Sequence, residues 1–92
     1  MAVGTPGALS KLRKELIATA VSADNGCGHC TQLHGGFLGR LTPDKALVCA
    51  LMTDPATAPL EGADRALVAY ALKLTRTPRE MRQTDVESLR AA

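Results

Sequence analysis

Aromatic side chains are nearly missing from this chain: it has one Phe, one Tyr and no Trp in 92 residues. Stacking platforms for single-stranded nucleic acid need several such rings, so that class is set aside. An excess of one charge is missing too, since 11 basic and 9 acidic residues leave a net +2. That balance argues against the electrostatic footprint of a nucleic-acid binder. Arg76, Arg79 and Arg82 stand near one another, but Glu80 and Asp85 interrupt them, which reads as a solvated surface. The longest apolar run, Ala46 to Met52, is far shorter than the about 20 residues that cross a bilayer, so no membrane span is expected. Met1 to Gly7 have neither the basic start nor the apolar stretch of a signal peptide, and the expected location is the cytoplasm. Strand-forming residues are scarce as well. Five Val and one Ile stand against 15 Ala and 13 Leu, and the latter two favour helices.

What is present reads as one small all-α domain, a helical bundle. Ser10 caps a first helix running to about Ala23, with Leu9, Leu12, Leu16, Ile17, Ala20 and Val21 as its apolar stripe. Asp24, Asn25 and Gly26 break it. A second helix starts near Cys27 and ends by Arg40, with Cys30, Leu33, His34, Phe37, Leu38 and Leu41 expected on one buried face. Thr42 and Pro43 read as the cap and first-turn proline of a third helix that stops at Asp54. Being apolar nearly all round, that helix is expected to be buried on most sides, Cys49 included as a small core residue. After a loop from Pro55 to Pro59, a fourth helix runs from about Leu60 to Arg76, with Leu60, Ala63, Leu67, Tyr70, Ala71 and Leu74 on one side. Thr84 with Glu87 forms the capping box of a last helix with Val86 and Leu89 inward. So short a closing helix leaves apolar faces that a second copy would cover, and a homo-oligomer is expected.

Three cysteines, an odd number, do not suggest a structural disulfide framework in a chain without a signal peptide. Cys27 and Cys30 are the informative pair. They enclose Gly28 and His29 at the start of the second helix, a helix-turn-helix arrangement with the two thiols at a helix N-terminus. The free N–H groups and partial positive charge there favour thiolate, the nucleophilic form. On a helical wheel Cys27 and Cys30 lie roughly 60° apart, and Cys30 and His34 roughly 40°. His29 points roughly 160° away from Cys27. His34 reads either as a core histidine bonded to a carbonyl or as an imidazole placed to take a thiol proton.

Thiol redox chemistry and zinc binding both suit Cys27, Cys30 and His34, although no second ligand pair exists elsewhere. Covalent haem needs His directly after the second cysteine, where Thr31 stands. A thioredoxin fold needs a strand before the motif, and Leu12 to Ala23 reads as helix. Glu15 borders the first apolar stripe beside Lys11 and Lys14, as either an exposed helix glutamate or part of the site.

The run Glu15-Leu16-Ile17-Ala18-Thr19-Ala20-Val21-Ser22-Ala23-Asp24-Asn25-Gly26-Cys27-Gly28-His29-Cys30, then His34-Gly35, resembles the alkylhydroperoxidase-D-like, or carboxymuconolactone-decarboxylase-like, all-α proteins. The segment from Ala58 to Thr75 resembles their peroxidase-related members, and the likeness covers most of Leu12 to Leu89. The lactone-decarboxylase branch lacks the cysteine pair. The resemblance implies a bundle assembled into trimers or hexamers. It implies reduction of hydroperoxides by the cysteine pair, with no bound cofactor or metal. Cys30 resembles the attacking cysteine and Cys27 the resolving one. Glu15 and His34 resemble a proton relay, with His29 assisting. A dithiol partner, such as a lipoyl group on a carrier protein, would reset the pair. Some members serve instead as disulfide reductases or redox sensors. Members usually continue for one or two helices past the region matching Val86 to Arg90, so the site is expected to be either incompletely covered or covered by a neighbouring subunit.

Overall fold

The computed structural model describes residues 10–91; Leu9 of the first stripe and the segment from Met1 to Gly7 lie outside them. Among the described residues there are five α-helices and no strand. They are α1 (Lys11–Asp24), α2 (Gly28–Leu41), α3 (Lys45–Thr53), α4 (Gly62–Arg76) and α5 (Gln83–Ala91). Single 3-10 turns at Pro55–Thr57 and Pro78–Glu80 separate α3 from α4 and α4 from α5. None of these helices is long and apolar enough to cross a membrane.

Local chemistry sets the helix starts. Ser10 Oγ accepts from the Arg13 amide at 3.2 Å, satisfying one of the free N–H groups of α1. Asp44 does the same for α3, accepting from Leu47 N at 3.0 Å. The expected cap, Thr42, instead accepts from Asp44 N, so α3 begins two residues later than the Thr-Pro signal suggested. Gly26 adopts φ 73°, a left-handed conformation that side chains resist, and so turns the chain from α1 into α2. Gly62 at φ 54° likewise opens α4, which starts there and not at Leu60. The Thr84–Glu87 box is not the start of α5. There Asp85 Oδ2 accepts from Arg82 N at 2.8 Å.

The three-residue link makes α1 and α2 an antiparallel hairpin. Ion pairs at both ends show that α4 runs parallel to α1: Arg13 Nε meets Asp64 Oδ1 at 2.9 Å, and Arg76 holds Asp24. The Arg76 guanidinium keeps the Asp24 carboxyl below the usual carboxylate range. The core they enclose consists of Leu16, Ala20, Leu38, Val48, Leu51, Ala58, Leu60, Val68 and Leu72. Arg65 pins the loop before α4 by donating to the carbonyls of Leu60 (2.6 Å) and Ala58 (3.2 Å). Among the described elements α5 packs on α4 alone, tied by Lys73 to Asp85 at 2.9 Å, and buries none of its residues fully; Val86 and Leu89 are half-buried.

Three expectations about burial are corrected. In α2 the buried residues are Thr31, Gly35 and Leu38, while Leu33, Phe37 and Leu41 are 46%, 40% and 43% exposed. Gly35 on the buried face allows close approach of α3: Met52 lies where a Cβ on Gly35 would be. In α3 only Val48 and Leu51 are buried, and Cys49 is exposed. That helix covers the core with one face, and among the described residues no further layer lies outside it. In α4 the buried residues are Val68 and Leu72, and Leu74 is 49% exposed. The inward face of α4 is turned from the expected stripe by its parallel docking on α1.

Candidate functional site

The site grows from the α1–α2 turn. Cys27 is the N-cap of α2, and its Sγ accepts from the Cys30 amide at 3.4 Å. A sulfur thus stands where Ser or Asp usually stands, against the positive end of the helix. The backbone of Cys27 is anchored on both sides. Its N–H donates to Ser22 O at 3.0 Å, and its carbonyl accepts from Thr31 N at 2.9 Å and Thr31 Oγ1 at 2.7 Å. This brings the Cα atoms of Cys27 and Cys30 to 5.4 Å, within disulfide reach, and the two sulfurs are joined. Both residues are half-buried.

One turn further along α2, His34 Nδ1 meets Glu15 Oε1 of α1 at 2.7 Å. The side chains are 32% and 23% exposed, so the pair is partly shielded and still open to a reactant. A carboxylate only accepts. With Glu15 ionised, Nδ1 therefore carries the proton and Nε2 of a neutral ring is left as an acceptor. Phe37 stands edge-on to the imidazole, with ring centroids 6.1 Å apart and planes at 75°. The structure thus brings Glu15 to His34 and joins Cys27 to Cys30, on consecutive turns of one helix. His29 is exposed on the first turn of α2, and no hydrogen bond found among the described residues involves it.

The sequence had not singled out two supporting residues. Thr31, four residues after Cys27, clamps the carbonyl of the N-cap; the spacing was a usable signal. Phe37 flanks His34 from the exposed side of α2, and its contact depends on how the helix is rotated. Among the described residues, no three His, Cys, Asp or Glu side chains are grouped so as to hold a metal ion. A groove of about 780 Å³ lies between α2 and α3, lined by Gly28, Gly35, Gly39, Lys45, Cys49 and Met52 among others, and by none of the five site residues.

Known proteins resemble the chain in sequence and fold. Residues 1–76 match the carboxymuconolactone decarboxylase family. An uncharacterized peroxidase-related protein from Silicibacter sp. TM1040 superposes with a TM-score of 0.85 at 37% identity, over 90% of this chain and 44% of that one. A second such protein, from Ralstonia eutropha JMP134 and described as an alkylhydroperoxidase AhpD core, gives 0.84 at 29% identity, over 92% of this chain and 45% of that one. The chain therefore spans less than half the length of either. No curated protein matches it. From the family match over most of its length and the shared helical fold, the chain belongs to the carboxymuconolactone decarboxylase family, and its likeness is to peroxidase-related members.

Proposed function

We propose that the chain is a thiol-dependent hydroperoxide reductase. The observation that carries this reading is the Cys27–Cys30 disulfide at the α2 N-terminus with the Glu15–His34 pair one turn away. In the reduced protein the Cys30 thiolate attacks the terminal oxygen of the hydroperoxide. An S–O bond forms, the O–O bond breaks, and the leaving alkoxide takes a proton to become an alcohol. His34, held by Glu15, takes the thiol proton beforehand and returns it to the leaving oxygen, by way of water or directly. Cys27 then attacks the sulfenic sulfur, closing the disulfide and releasing water. An external dithiol, such as a lipoyl group on a carrier protein, exchanges with that disulfide and leaves oxidised. Cys30 is given the attacking role because it resembles the attacking cysteine of the family pattern. His29 assists from solvent. The site needs no metal or bound cofactor in this scheme.

The test is consumption of cumene hydroperoxide with dihydrolipoamide as reductant. Turnover is expected for the wild type, and Cys30→Ser and Cys27→Ser should each lose at least about 100-fold. A wild type that exchanges with dithiols but does not consume peroxide would be a disulfide reductase or redox sensor. A wild type holding stoichiometric zinc after dialysis, without turnover, would make the site an interaction module. Either result ends the peroxidase reading.

A further inference from the structure

Thr19 is fully buried in the middle of α1, and its hydroxyl has no hydrogen-bond partner among the described residues. A buried hydroxyl without a partner is destabilising, and such groups in folded proteins call for an explanation. The usual resolution is close at hand: a helical threonine donates to the carbonyl four residues back. Thr31, Thr53, Thr75 and Thr77 all do so, at 2.7, 2.8, 2.9 and 3.2 Å. Thr19 makes no such bond to Glu15 O; its hydroxyl is kept free of its own helix.

Its level in the hairpin says what it is near. Glu15 on α1 pairs with His34 on α2, and Ser22 O pairs with Cys27 N. Each step up α1 is matched by a step down α2, because both helices rise about 1.5 Å per residue. Four residues beyond Glu15 is Thr19, and four residues before His34 is Cys30. Thr19 and Cys30 therefore sit at the same level, in the most extensively packed helix pair of the molecule.

We propose that Thr19 is a further residue of the redox site, whose hydroxyl donates to the Cys30 sulfur once the Cys27–Cys30 bond opens. This rests on the reading that the pair cycles between disulfide and dithiol. The closed disulfide presents sulfur that is neutral and a poor acceptor, so the hydroxyl is idle there. When a dithiol thiolate attacks Cys27, a mixed disulfide forms, the Cys27–Cys30 bond breaks, and Cys30 leaves as a thiolate. That thiolate is a strong acceptor, and Thr19 stabilises it. The second thiol of the reductant then displaces Cys27 and closes its own disulfide, so two electrons and two protons end on the cysteines. Thr19 thus favours the reduced form over the oxidised one.

Equilibration with mixtures of reduced and oxidised dithiothreitol tests this, read by alkylation and mass spectrometry of the intact chain. Thr19→Val keeps the side-chain volume and removes the hydroxyl. Its equilibrium constant for reduction is expected to fall about tenfold, equivalent to about 30 mV. Thr19→Ser should restore the wild-type value, and oxidised Thr19→Val should melt no lower than the wild type, since it loses an unpaired group. An unchanged constant in Thr19→Val overturns the proposal and leaves the hydroxyl idle or held by a trapped water. If Thr19→Val does not fold, Thr19→Ala supplies the same reading by the same criterion. Peroxide is not used, so the outcomes separate. Loss of the peroxidase reading with a shifted constant leaves Thr19 standing, and turnover with an unshifted constant removes Thr19 alone.

Discussion

At the scale of single residues the decisive pairing is Glu15 with His34. Neither side chain is deeply buried, and a surface carboxylate–histidine pair contributes little to stability. Its value in the proposed scheme is orientation: the 2.7 Å bond fixes Nδ1 as the donor and leaves Nε2 for the thiol or the leaving oxygen. Glu15→Gln preserves size and an acceptor oxygen but removes the charge that steadies an imidazolium. Peroxide turnover is expected to fall about 100-fold in this variant, the lower end of what general acid–base groups supply. Steady-state rates with dihydrolipoamide check it, and a loss under threefold would remove Glu15 from the relay.

At the scale of helices, α2 buries the small residues Thr31 and Gly35 beside Leu38, and exposes Leu33, Phe37 and Leu41. Gly35 is the point of closest approach, because a Cβ there would come 2.5 Å from Met52 Sδ. Two effects compete at this position. Replacing a mid-helix glycine by alanine gains about 1 kcal/mol of helix propensity. Displacing the end of the flexible Met52 side chain costs a comparable amount. Gly35→Ala is therefore expected to change stability by less than about 1 kcal/mol, whereas Gly35→Val overpacks the α2–α3 contact and costs about 1–3 kcal/mol. Urea denaturation of the two variants measures both. A valine variant as stable as the wild type would mean that α3 is not seated against Gly35.

For the whole molecule, the core is small and one flank of α2 lacks a partner among the described residues. Leu33, Phe37 and Leu41 recur every fourth residue and are exposed together, with Phe37 against the imidazole of the site. Contiguous apolar surface of this kind marks an association face. We propose that copies of the chain associate through it, as trimers or hexamers, and so wall the redox site. Light scattering after size-exclusion chromatography is expected to show an oligomer at micromolar concentration. Phe37→Asp should shift it to a smaller species while keeping the helical circular dichroism. A monomeric wild type rules this association out.

Composition and local punctuation alone determined the helical class, the break at Asp24 to Gly26 and the start of α2 at the cysteine pair. These are short-range properties: propensity, caps and spacing act within a few residues of chain. The tertiary structure decided which helix faces are inside. A wheel gives the angles between Leu33, His34 and Leu38, but not the direction of the neighbouring helix. That direction depends on close approach at Gly35 and on the parallel docking of α4 against α1, both made by residues distant in sequence. For the same reason Cys49 faces outward despite its apolar neighbours, and Glu15, equally plausible from sequence as a surface residue, meets His34.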